Sequence, residues 1–102
     1  MEIQKLDGKN FDEAIAKADR PVIVDMYADW CGPCKKIAPV VAELAREHGE
    51  IIFYKLNVDD SPDVAARYSV QSIPAFISFK GGQMHKKMIG ASSGRKILEL
   101  AD

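Results

Sequence analysis

Cys31 and Cys34 are the only two cysteines in a chain of 102 residues, and just two residues separate them. On a helix entry, positions i and i+3 share a face, which brings two cysteine side chains close enough to bond. A disulfide across so short a loop constrains the unfolded chain little, so it is poorly suited to holding a fold together. Small secreted domains instead spread several cysteines along the chain. The pair therefore points to chemistry. One thiolate can attack a disulfide in a second molecule to give a mixed disulfide. The other thiol then attacks the first sulfur and releases the reduced product. A lone cysteine would leave the two molecules joined.

The order of attack follows from position. Cys31 precedes the helix, where unpaired N–H groups and the positive dipole end favour a thiolate, so it is the expected nucleophile. Cys34 lies one turn inside and is expected to be the more buried, resolving thiol. Lowering a thiol pKa from about 8.5 to about 7 raises its thiolate fraction at pH 7 roughly fifteenfold, but nucleophilicity falls in parallel and the net gain is about threefold. Proximity of the second thiol and docking of the substrate must supply most of the rate.

Asp25 interrupts the apolar run Val22 to Met26, six residues before Cys31. A buried, unpaired carboxylate costs several kcal/mol, so its pKa should rise. A carboxyl at the strand end feeding the active loop can take the proton of Cys34 as that thiol becomes a nucleophile. Pairing with Lys55 on the next strand is the blander expectation, and the two are compatible.

The elements that must place these groups can be traced in order. Glu2 to Leu6 reads as an edge strand. Asn10-Phe11-Asp12-Glu13 has the capping-box pattern, and Phe11, Ile15 and Ala18 follow at helical spacing. Pro21 to Tyr27 is an apolar run suited to a strand covered on both faces. A long helix then runs to about His48, with Ile37, Val40, Val41 and Leu44 as its inner stripe, Pro39 inside it and Gly49 ending it. Ile51 to Val58 is a further strand, and Ser61-Pro62-Asp63 opens a short helix with a capping hydroxyl. Phe76 to Lys80, the Gly81-Gly82 turn and Gln83 to Ile89 form a hairpin. Ser93 caps a last helix that turns Ile97, Leu98 and Ala101 inward. The order β-α-β-α-β-α-β-β-α needs crossovers first and an antiparallel edge last, hence a mixed sheet with helices on both faces.

Composition is that of one ordinary globular domain spanning 1–102: 47% hydrophobic, 28% charged, net charge -1. A chain this long buries roughly two thirds of its unfolded surface and needs no staple to fold. The balanced charge argues against nucleic acid as a partner, and His85, Lys86 and Lys87 read as a solvated strand edge. No apolar run reaches the roughly 20 residues of a membrane helix. Met1 to Gly8 lacks an apolar leader core, so a cytoplasmic address is expected. No cofactor and no metal is expected. Cys31, Cys34 and His48 imitate part of a zinc spacing, but no second histidine follows within five residues. A cluster bridging two chains stays open.

Trp30-Cys31-Gly32-Pro33-Cys34-Lys35 resembles the active-site motif of the thioredoxin family, and the likeness extends across nearly the whole chain. Asp25 matches the family's buried acid, Lys55 its neighbouring lysine, and Pro39 its helix-kinking proline. Ile73-Pro74 matches the cis-proline dipeptide, against a trans bond on general frequencies. Gly82 and Gly90 match further family glycines. The resemblance implies a thioredoxin fold, a five-stranded mixed sheet flanked by four helices. It also implies a monomeric protein disulfide reductase fed by a thioredoxin reductase, with disulfide-containing proteins as substrates. Trp30, Gly32, Pro33, Ile73, Pro74 and Gly90 would form the apolar docking surface. Three departures stand out: Tyr27 where many members carry Trp, Ala75 where Thr is common after the proline, and a short final helix.

Other readings share the cysteine pair. An oxidase or isomerase of the same fold typically has a polar residue between its cysteines, whereas Pro33 favours a reducing dithiol. Glutaredoxins usually carry Cys-Pro-Tyr-Cys. A redox-switched scaffold would keep working with both cysteines replaced by serine.

Overall fold

The computed structural model describes residues 3–102. Four helices and five strands alternate as β1 (Gln4–Leu6), α1 (Phe11–Lys17), β2 (Val22–Tyr27), α2 (Gly32–Glu47), β3 (Ile52–Asn57), α3 (Pro62–Arg67), β4 (Ala75–Lys80), β5 (Gln83–Ile89) and α4 (Gly94–Glu99). The strands form one sheet in the order β1-β3-β2-β4-β5. β1, β3 and β2 run parallel, whereas β4 is antiparallel to β2 and β5 to β4. This is the mixed sheet that the crossover and hairpin connections demand. The expected start of β1 at Glu2 lies outside the described residues.

Strand alternation sorts the side chains into two cores. Val22, Val24 and Met26 face one side, with Leu56, Ile77, Phe11 of α1 and Val64 of α3. Ile23, Phe53 and Phe76 face the other, against Ile37, Val41 and Leu44 of α2 and Ile97 of α4. Asp25 keeps step with Ile23 and Lys55 with Phe53, so both point toward the face covered by α2. Their strands are in register, Asp25 opposite Lys55.

Several local expectations need correction. Asn10 makes no cap: its side chain accepts from the Asp7 N–H, while the Asp7 carboxylate takes the N–H groups of Lys9 and Asn10. Glu13 reaches forward to Lys17 rather than back to the cap. The Ser61 hydroxyl does not cap α3 either; it accepts from the Gly8 N–H and ties the loop after β1 to the α3 entry. Val40 lies off the inner stripe of α2 and is exposed. Leu98 and Ala101 are only half-buried, and Leu100 takes the inner place. Ser93 does cap α4, accepting from the Lys96 N–H. His48 stands just past the last turn of α2 with its ring against Glu50. The sixteen residues of α2, about 24 Å, part it from Cys31, and Cys34 lies in the first turn of the same helix, which removes the zinc spacing.

Candidate active site

β2 ends at Tyr27, and a turn closed by the Cys31 N–H on the Ala28 carbonyl delivers the chain to α2. Cys31 is the N-cap residue, with extended backbone, and its sulfur accepts from the Cys34 N–H at 3.2 Å. Pro33 sits in the first turn, where its missing N–H costs nothing. Cys31 and Cys34 are joined as a disulfide with their Cα atoms 5.3 Å apart. The expectation that Cys34 is the more buried fails: Cys31 is 3% and Cys34 4% exposed. Both sulfurs pack in one small cluster with Ala28, Tyr27, Val58 and Ile73, so depth does not tell them apart. The helix does: Cys31 alone occupies the cap and receives a helix N–H.

Asp25 is 7% exposed, and its Oδ1 has no hydrogen-bond partner. Burial pushes its carboxyl up to about 7, and the Lys55 charge pulls the other way. No direct ion pair joins the two, so the blander expectation of a paired acid holds only as an attraction at a distance. The Lys55 ammonium lies 5.9 Å from the centre of the Tyr27 ring, within range of a cation–π attraction. Asp25, Lys55, Tyr27 and Cys34 line one cavity of about 180 Å³, with Asp29 and Lys35 beside them. A carboxyl that titrates near neutrality thus shares a space with the inner thiol position, which is what proton exchange requires.

Across the dithiol, Ile73 and Pro74 are joined by a cis peptide bond. Pro74 is buried at the entry to β4, and its carbonyl accepts from the Gly90 N–H at 2.7 Å. Gly90 has φ of +97°, a conformation that L side chains resist. Trp30 is 71% exposed, and Gly32 and Pro33 are exposed beside it. No heavy atom lies within 4 Å of a Cβ built at Gly32, so the approach over the first turn is open.

Asp59 was not foreseen from the sequence. It accepts from the Trp30 indole N–H at 2.8 Å, across 29 residues of chain. An acidic Asp59-Asp60 pair after a strand carries no local sign of that contact.

The family model described as Thioredoxin matches residues 2–102. A chloroplastic M-type thioredoxin of Pisum sativum is 45% identical over 91 residues, 88% of this chain and 53% of the relative. The chain spans about half the length of such plant relatives. Thioredoxin 1 of Chlorobaculum tepidum is 49% identical over 84 residues, 81% of this chain and 83% of the relative. The solved mitochondrial thioredoxin 3 of Saccharomyces cerevisiae, in its oxidised form, superposes with a TM-score of 0.89 at 35% identity, covering 97% of this chain and 92% of that one. The cysteine pair at a helix start, the mixed sheet behind it and these likenesses agree, and the chain belongs to the thioredoxin family.

Proposed function

We propose that this chain is a protein disulfide reductase that works as a single, monomeric domain. The observation that carries the reading is the Cys31–Cys34 disulfide at the start of α2, with the buried Asp25 sharing the cavity of Cys34. In the reduced protein, the Cys31 thiolate attacks one sulfur of a substrate disulfide. A mixed disulfide forms and the other substrate sulfur leaves as a thiolate. Asp25 takes the proton of Cys34, and Cys34 then attacks the Cys31 sulfur. The second substrate sulfur leaves, and the Cys31–Cys34 disulfide remains. The substrate gains two electrons and leaves as two thiolates, which take up protons from Asp25 and solvent; the chain loses the two electrons and the one proton of Cys34. The N-terminus of α2 favours the negative charge on Cys31.

Trp30, Ile73, Pro74 and Gly90 form the docking surface, with Gly32 and Pro33 leaving room over the sulfurs. Lys55 holds down the proton affinity of Asp25. Electrons return from a thioredoxin reductase. We assign the chain to the cytoplasm, because its only cysteines are the redox pair and such a dithiol works in a reducing compartment. Among the described residues no helix is long and apolar enough to cross a membrane.

The test is stoichiometric. One equivalent of pre-reduced chain, mixed with a disulfide-bonded protein, should place two new thiols in the substrate and oxidise the chain. Cys31→Ser should abolish the transfer. Transfer that persists without Cys31 would reject the reading.

A further inference from the structure

Trp30 is the only tryptophan of the chain, and among the described residues it is the most exposed large apolar side chain. An exposed indole at the end of a turn can swing about two side-chain torsions, and a partner that docks on it must freeze them. Freezing one such side chain weakens binding several-fold. Here the swing is already restrained. The indole N–H donates to Asp59 Oδ2 at 2.8 Å.

The position of Asp59 is itself fixed from below. Asn57, at the end of β3, is 3% exposed. Its side-chain oxygen accepts from the Asp59 N–H at 2.8 Å and the Asp60 N–H at 3.2 Å. Its backbone carbonyl accepts from the Ser61 N–H. The Val58 N–H donates to the Tyr27 carbonyl, which anchors the loop to the strand that leads into the dithiol. Asp60 is turned away toward Lys5. Asp59 alone of the two acids is left to face the indole.

We infer that Asp59 is a positioning residue for substrate docking, holding the Trp30 ring in its docking orientation, and that buried Asn57 sets Asp59 in place. The inference rests on the reductase reading above. Asp59 bonds the indole and is not among the residues packed on the cysteines, so its effect passes through Trp30. Tethering also satisfies the indole N–H, so a partner meets the flat apolar ring without having to supply an acceptor.

The experiment compares Asp59→Ala and Asp59→Asn in steady-state reduction of a disulfide-bonded protein, with Trp30 fluorescence read on the same samples. Asp59→Ala should raise KM about fivefold and change kcat less than twofold, because orientation is lost before docking and not during sulfur exchange. The indole signal should show faster local rotation and easier quenching. Asp59→Asn keeps an acceptor oxygen without the charge, and should restore both KM and the fluorescence to near wild type. In a Trp30→Ala background, Asp59→Ala should have no further effect on KM. Equal damage from Asn and Ala would show that charge, not the hydrogen bond, matters, and would overturn the inference. An unchanged KM with a freely rotating indole would overturn it as well. If the wild-type chain reduces no protein disulfide, the reductase reading fails, and this inference with it. The fluorescence comparison would still show whether the tether exists.

Discussion

Replacing Asp25 by alanine should stabilise the oxidised protein at neutral and alkaline pH, and should not do so in acid. The folded carboxyl is raised from an ordinary 3.8 to about 7, chiefly by burial. Below pH 3.8 the group is protonated in both states, and its titration does not affect stability. Between about pH 4 and 7 the unfolded chain ionises it while the folded chain still holds the proton. The folded state then binds more protons, and wild-type stability falls as pH rises. Above pH 7 the loss is complete and constant. A gap from 3.8 to about 7 corresponds to on the order of 4 kcal/mol. Losing the few contacts of the side chain costs about 1 kcal/mol at every pH, since the site already borders a cavity. Alanine should therefore be more stable than wild type by about 2–4 kcal/mol at pH 8, and slightly less stable near pH 4. Urea unfolding of both oxidised proteins at pH 4, 5, 6, 7 and 8 measures this difference directly, and other titrating groups cancel between them. A difference that does not change with pH, or an alanine variant less stable at pH 8, would refute the reasoning that an uncompensated charge is buried at Asp25.

Two further outcomes are expected from particular contacts. Lys55→Gln removes the charge that opposes the rise of Asp25, so the pH midpoint for resolution of a mixed disulfide should move up by on the order of one unit. Rapid-quench kinetics from pH 6 to 9 would show it, and an unmoved midpoint would separate Lys55 from the proton transfer. Ser69 holds φ of +56° just past the α3 C-cap, where its N–H donates to the Ala66 carbonyl. Ser69→Gly should relieve about 1 kcal/mol of left-handed strain and raise Tm by a few degrees, whereas a lower Tm would show that the serine is not strained.

The sequence showed the fold through patterns that depend only on near neighbours. Apolar runs, the Gly81-Gly82 turn and the spacing of Ile37, Val41 and Leu44 each report on one element, and each formed. Asp25 was conspicuous because a carboxylate breaks an apolar run, and its burial follows from the same alternation that buries Ile23. Contacts made across the fold left no such trace. Ser61 has the position and type of a cap, yet its hydroxyl goes to Gly8, 53 residues away, because tertiary packing offers a donor there. Asn10 likewise bonds upstream to the Asp7 turn. Ser78 is buried in mid-strand, where its hydroxyl bonds the Lys86 N–H at a register shift between β4 and β5 that no local signal announces. Cys31 stands at the helix entry, as its place in the sequence indicates, but its burial depends on Ile73 and Val58, which arrive from other elements. The Trp30–Asp59 bond joins two exposed residues across loops, and polar surface positions do not reveal their partners.

Capture of the mixed disulfide tests the central claim most directly. Reduced Cys34→Ser, incubated with a disulfide-bonded protein and then alkylated, should form a covalent adduct that persists without reductant and is linked through Cys31 when mapped by mass spectrometry. Adduct formation through Cys34 in the reciprocal Cys31→Ser variant, with none through Cys31, would contradict the assignment of Cys31 as the attacking thiol and Cys34 as the resolving one.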